Sequence, residues 1–166
     1  WPVEDKFVDT FRAIERLYEE KLIRVPGVSN HHQHHLEKLF ANANVKPMVN
    51  QVECHPYLQQ DELRAFCAEH NIAVTAWAPI GKGRILNDET LVKLAKKHGK
   101  TPAQIVLRWH YQNDTITIPK SVTPSRIAEN MQIFDFELSD EEMAEIKAMN
   151  KNERFGQNPD NFHFDF

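Results

Sequence analysis

Missing from these 166 residues is any apolar run approaching the ~20 residues that a membrane-spanning helix needs. The opening Trp1-Pro2-Val3-Glu4-Asp5 also has no basic region and no apolar stretch, and is not expected to be a signal peptide. Cysteine is scarce. Cys54 and Cys67 lack Cys-x-x-Cys spacing and read as reduced thiols of a cytoplasmic protein, not as a disulfide. A dominant charge is missing as well. Twenty Lys and Arg against 24 Asp and Glu give a formal net charge of −4, with no general attraction to nucleic acid or anionic membrane. An initiating Met is lacking too: the chain opens on Trp1 in mid-pattern, and is expected to be a piece of something longer.

What is present is an alternation of helix and strand without linkers or low-complexity segments. Phe7, Phe11, Ile14, Leu17 and Tyr18, with Lys21 and Leu22 following, recur at helical spacing among charged residues. Leu36, Leu39 and Phe40 predict a short helix, and Leu63, Phe66 and Cys67 another. Thr101-Pro102-Ala103-Gln104 and Ser139-Asp140-Glu141-Glu142 carry strong helix-start signals, the first with Pro at the first helical position. Four strands are expected at roughly 24–28, 48–53, 72–78 and 115–119. Strands separated by helices, without hairpin signals, imply parallel βαβ units and an α/β fold. In parallel barrels chemistry gathers where strands end, so those ends are the places to read.

After the fourth strand comes Lys120-Ser121-Val122-Thr123-Pro124-Ser125-Arg126. Thr123 is a natural N-cap and Pro124 a first helical residue, so free N–H groups and partial positive charge follow the strand directly. Lys120 and Arg126 have the wrong sign for that dipole. Either a bound anion, phosphate above all, removes the conflict, or both side chains reach solvent or a neighbouring carboxylate. Ser29-Asn30 and Asn50-Gln51 place polar groups at or within strand ends, where they satisfy nearby backbone or hold an amide-bearing ligand. Trp77 is either core filling or a stacking platform for a flat ring. His31-His32-Gln33-His34-His35 puts His31 and His35 at i,i+4, a spacing able to chelate metal. No Cys or acidic partner follows at ligand spacing, so no functional metal site is expected, while adventitious binding of zinc or nickel by these side chains stays open.

Taken together, Gly27-Val28-Ser29-Asn30, Asn50-Gln51-Val52-Glu53-Cys54-His55-Pro56, and Ile118-Pro119-Lys120-Ser121 with Arg126 and Glu129-Asn130 closely resemble the aldo-keto reductases. The likeness runs in order over essentially the whole chain. Trp77-Ala78-Pro79 and the stretch from Thr101 to His110 resemble bacterial members acting on small aldehydes and diketo sugar acids. The resemblance implies a parallel (β/α)8 TIM barrel, of which residues 1–166 would be about the last four βα units, with a tail from about 151 to 166. It implies NADPH as cofactor and a small carbonyl compound as substrate. Ser29, Asn30 and Gln51 would bond the nicotinamide carboxamide, and Trp77 would stack on the ring. Ala78, Pro79, Ile80 and Gly81 would run beside the pyrophosphate. Lys120, Ser121, Val122, Thr123 and Arg126 would hold the adenosine 2′-phosphate, with Glu129 and Asn130 near the adenine. Trp1 would line the substrate pocket or serve as a rim aromatic.

The family's catalytic Tyr, Asp, Lys and His lie in the first half of the barrel, with the His just before the Trp-Pro seen as Trp1-Pro2. None of the four is expected in this chain, and it is expected to be inactive alone. The sheet edges of a half barrel would need the missing N-terminal half, or a second copy, to cover them. A non-catalytic, cofactor-binding regulatory or structural protein is the second reading. Two departures from the family stand out: Pro26 at a usually aliphatic strand position, and His31 where Phe commonly follows Ser-Asn.

Overall fold

The computed structural model describes residues 1–4 and 6–161. The order is α1 (Phe7–Glu19), β1 (Gly27–Ser29), α2 (Gln33–Asn42), β2 (Val49–Glu53), α3 (Asp61–Glu69) and β3 (Ala73–Trp77). A 3-10 turn (Gly81–Gly83) follows, then α4 (Glu89–His98), α5 (Pro102–Gln112), β4 (Ile116–Thr117), α6 (Pro124–Met131), α7 (Asp140–Lys147) and a second 3-10 turn (Pro159–Asn161). The strands form one parallel sheet in the order β1-β2-β3-β4, and β1 pairs with β2 in the register Ser29↔Gln51. The expected parallel α/β architecture is therefore present.

Strand limits are shorter than the apolar pattern suggests. Pro26 lacks an N–H and stays outside β1, although its carbonyl accepts the Met48 N–H at 2.8 Å. At the other end β4 is two residues long and stops before Ile118 and Pro119. Helix α1 ends at Glu19 because Lys21 takes a left-handed turn (φ 60°), which carries Leu22 out of the helix. One whole helix escapes the apolar reading. Helix α4 starts at an Asp88 cap whose side chain accepts the Thr90 N–H, and ends at Gly99 with φ 62°. Both signals are legible in the sequence.

The chain divides into two compact units. One comprises residues 1–52, 61–75 and, within the described part, 156–161; the other comprises 53–60 and 76–155. The first unit buries Leu36, Val52, Leu63, Cys67, Ile72 and Val74 in one cluster and Phe7, Phe11 and Leu39 in another. Glu15 is buried there too, and its carboxylate accepts the N–H groups of Asn44 (2.7 Å) and Val45 (2.6 Å), which satisfies it. The second unit packs around Ile105, Val106 and Trp109 of α5, with Leu91 and Leu94 of α4 and Ile146 of α7. Both cysteines are buried and unbridged, as expected. Among the described residues no helix is long and apolar enough to cross a membrane.

Candidate functional site

In the first unit the ends of β1 and β2 are held by a dense set of bonds. The Ser29 hydroxyl and the Asn30 N–H both donate to the Gln51 carbonyl, at 2.9 and 2.8 Å. Asn30 is buried with φ 59°, a left-handed position that Asn tolerates better than most residues. Strand alternation turns Asn50 inward and leaves its neighbour Gln51 half-buried. Asn50 is fully buried. Its Oδ1 accepts the His31 N–H (3.4 Å) and its Nδ2 donates to the His31 carbonyl (2.7 Å). This two-pronged clamp fixes the loop that carries Ser29 and Asn30, with Gln51 adjacent to it in β2. Among the described residues no hydrogen bond engages the Gln51 side-chain amide, which leaves it a donor and an acceptor.

His31 meets the packing demand of the position where Phe is usual. It is 5% exposed, stands edge-on to Phe7 at 5.4 Å, and places Nδ1 2.9 Å from the Ser29 carbonyl. Burial pushes its pKa down to about 4, against the opposing pull of that carbonyl. Burial likewise pushes His35 down to about 4, aided by the nearby His34. In the i,i+4 pair His31 and His35 each ring has one nitrogen bonded to backbone.

In the second unit Trp77 ends β3 half-buried, with the Lys82 ammonium 5.8 Å from its ring centre. The following Ala78, Gly81, Lys82 and Gly83 all have positive φ, so the segment Ala78-Pro79-Ile80-Gly81 turns tightly. Gly81 is required on two counts. Its φ is +58°, and a Cβ would lie 3.0 Å from both Ile85 and Phe155. The Pro79 carbonyl is tied to His110 Nε2 at 3.1 Å. Strands β3 and β4 meet through the Ile118 N–H and the Ala76 carbonyl, so their ends are neighbours within this unit.

Beyond β4, Lys120, Val122 and Arg126 are exposed, and Ser121 and Thr123 half-buried. Thr123 occupies the N-cap of α6, but its side chain makes no capping bond, in contrast to its sequence reading. Instead its backbone N–H donates to the Ser121 hydroxyl at 3.2 Å. No acidic residue stands in the first turn of α6. Among the described residues neither Lys120 nor Arg126 has an ion-pair partner. The helix end thus keeps its free N–H groups and positive potential, with two cations at hand.

Glu129 has a different engagement. Its carboxylate accepts the Thr101 hydroxyl (2.8 Å) and its carbonyl accepts from Gln104 (3.1 Å), which joins α6 to the start of α5. Asn130 is half-buried beside it, and Trp1, in the first unit, is 37% exposed. For Asn50 the alternative of satisfying nearby backbone is the one that holds, whereas sequence reasoning missed the buried Glu53, which bonds His55 Nε2 (3.2 Å) and accepts the Phe155 N–H (2.8 Å). The signal for Asn50 was a polar residue on the inward phase of a strand.

Comparison with known proteins bears on this arrangement directly. The chain is 53% identical over 98% of its length to the 9,11-endoperoxide prostaglandin H2 reductase of Trypanosoma cruzi (strain CL Brener), covering 58% of that protein. It is 52% identical over 99% of its length to the glyoxal reductase of Bacillus subtilis (strain 168), covering 59% of it. Among solved structures, a variant of Gox0644 in complex with NADPH matches with a TM-score of 0.95 and 44% identity, over 99% of this chain and 62% of that one. The chain therefore spans about three-fifths of the length of these relatives, a partial barrel. The model of the Aldo/keto reductase family matches residues 1–151. The chain belongs to the aldo/keto reductase family.

Proposed function

We propose that this chain is the NADPH-binding portion of an oxidoreductase that reduces aldehyde and ketone carbonyls to alcohols. The observation that carries the reading is the start of α6. Its N-terminus lacks a side-chain cap and a first-turn acid, and has Lys120 and Arg126 beside it without ion-pair partners among the described residues. Such an end suits a phosphate monoester, and an adenosine 2′-phosphate is the group that separates NADPH from NADH. Ser121, Val122 and Thr123 would add backbone and hydroxyl contacts to it.

In the first unit, the residues proposed for the carboxamide are Ser29, Asn30 and Gln51, the last with an amide able to pair donor to acceptor. Trp77 would stack on the nicotinamide ring, and Ala78 to Gly81 would present their tight turn to the pyrophosphate. Glu129 and Asn130 would border the adenine, Glu129 through its backbone side because its carboxylate is engaged. When bound, NADPH supplies a hydride from nicotinamide C4 to the substrate carbonyl carbon. This chain's residues fix the ring's orientation and its charge partners. The proton would come from the Tyr that the family carries in the first half of its barrel, so the 166 residues alone would turn over no carbonyl.

The remainder of the barrel is the partner proposed for the exposed apolar face of β4 and α6. Ile116, Ile127, Met131 and Phe134 are exposed there around a cavity of about 360 Å³ within the second unit, and Ile118 is exposed beside them in sequence. An open strand edge with such a face is an association surface.

Titrating the full-length protein with NADPH and NADH, followed by tryptophan fluorescence, tests the reading. Expected is tight NADPH binding, weakened at least 10-fold in Arg126→Ala, with NADH little changed. Equal affinity for both cofactors in wild type and variant would overturn the phosphate assignment. Turnover of an aldehyde with NADPH by the pure 166-residue chain would overturn its proposed inactivity.

A further inference from the structure

In the first unit, three imidazoles of the first turn of α2 gather around one carboxylate from a distant part of the chain. His32 Nδ1 lies 2.9 Å from Asp160 Oδ2, and His34 Nε2 lies 3.1 Å from Asp160 Oδ1. His35 Nε2 is farther, at 3.7 Å from Oδ1. One ligand atom from each of the four residues lies within 4.8 Å of all the others. We propose that His32, His34 and Asp160 bind one divalent transition-metal ion of the zinc class, with His35 held just outside the coordination sphere.

The donor set suits such an ion. Imidazole nitrogens with a carboxylate oxygen favour zinc, cobalt or nickel over calcium or magnesium, which prefer all-oxygen sites. The spacing suits it as well. Ligands about 2.0–2.1 Å from a tetrahedral zinc stand about 3.3 Å from one another, and the two closest nitrogen–oxygen separations fall within half an ångström of that. Three protein ligands leave a fourth position for water. His34 is 61% exposed in its side chain and Asp160 40%, so an ion has a path in.

His35 is excluded by its tautomer. Its Nδ1 accepts the His32 N–H at 3.1 Å as one arm of the capping box at the start of α2. In a neutral ring the proton must then sit on Nε2, which faces Asp160 as a donor and not as a ligand. A donor to the ligating carboxylate is the ordinary outer partner of a metal site. The carboxylate also answers a need of the helix. Helix α2 has no acidic residue in its first turn, and a cation there meets the positive end of the dipole unless an anion accompanies it. Glu4, bonded to Lys38, and Glu37, bonded to Gln33, are the other nearby acids with partners of their own.

Asp160 is 128 residues from His32, so an ion held here would fasten the segment around residue 160 to the start of α2. That fastening needs no cofactor and does not depend on the reading of the NADPH site.

Calorimetric titration of the chelator-stripped full-length protein with Zn(II) tests the proposal, with Co(II) absorption as the spectroscopic signature. The expected result is one equivalent bound with micromolar or tighter affinity, and a zinc-dependent rise in melting temperature. Asp160→Asn and His34→Ala, both at exposed side chains, should each weaken binding at least 10-fold while the metal-free melting temperature stays near wild type. His70→Ala, remote from Asp160 and packed against Phe40 and Phe66, should bind as wild type does. No binding at 100-fold excess over a micromolar dissociation constant overturns the proposal. So does binding that survives in both variants, which would mark an adventitious ion only.

Discussion

Helices α6 and α7 begin in opposite ways, eight residues apart in chain order from the end of one to the cap of the other. Each faces the same physical problem of unpaired N–H groups and a positive dipole end. Helix α7 solves it internally. The Ser139 hydroxyl accepts the Glu142 N–H, the Glu142 carboxylate accepts the Ser139 N–H at 2.8 Å, and Asp140 and Glu141 add charge. Glu142 also binds Lys97 at 2.8 Å and His98 at 2.9 Å. Helix α6 has Thr123 at its cap without a side-chain bond, no acid in its first turn, and cations on either side of its start. The contrast teaches that a helix start left unsolved by its own chain is poised for an external anion.

Reversing the charge at α6 should break the contrast most strongly. Arg126→Glu is expected to weaken NADPH binding on the order of 100-fold, about 2.7 kcal/mol, with NADH affinity changed far less. Parallel fluorescence titrations check it. Next in size is Glu142→Gln, which strips α7 of its charged partner. Burial pushes the Glu142 carboxyl upward, but bonds from Lys97, the Ser139 N–H and His98 outweigh it and hold the pKa at about 2. A pKa depressed in the fold contributes stability above about pH 4.5, and that stability is lost as pH falls towards 2. The variant should therefore be less stable than wild type by about 1–2 kcal/mol near neutrality. The gap should close between pH 4.5 and 2 in denaturant melts.

Cap removal sharpens the same comparison. Ser139→Ala is expected to cost about 1 kcal/mol, whereas Thr123→Ala should cost less than about 0.5 kcal/mol because no capping bond is lost. Chemical denaturation of the full-length protein distinguishes them. The smallest effect has the most informative sign. Without cofactor, Arg126→Glu should stabilise the protein by about 0.3–0.5 kcal/mol, since a carboxylate then meets the α6 dipole. A loss of stability there would mean that Arg126 has a structural partner.

The same comparison shows where the sequence can be read. The α7 capping box is written within four residues, Ser139 to Glu142, and so is the Thr101–Gln104 box of α5; both formed as expected. Thr123-Pro124 carries the cap-and-proline part of that signature, with Arg126 where the boxes have Gln or Glu, and the Thr123 hydroxyl makes no cap while Ser121 takes its backbone N–H. The resemblance puts Glu129 near the adenine, and the motif gives no hint that Thr101 engages its carboxylate from 28 residues away. Asn50 and Gln51 are adjacent in sequence and divide their tasks by the two-residue period of a strand, a distinction visible only once the inward phase is known.

The sequence by itself determined the alternation of helix and strand, the parallel sheet it demands, the well-capped helix starts and the family strings at the strand ends. These depend on side-chain periodicity and on hydrogen bonds reaching no more than four residues. Only the tertiary structure decided that Asn50 clamps the loop after β1, that Lys120 and Arg126 lack ion-pair partners among the described residues, and that Asp160 stands over His32 and His34. Of the tail expected from about 151 to 166, the residues beyond Asn161 lie outside the described residues. The physical reason for the division is range. A cap is closed by its own turn, whereas a clamp or a ligand set is closed by strand register and chain path, which bring together residues with no local tie.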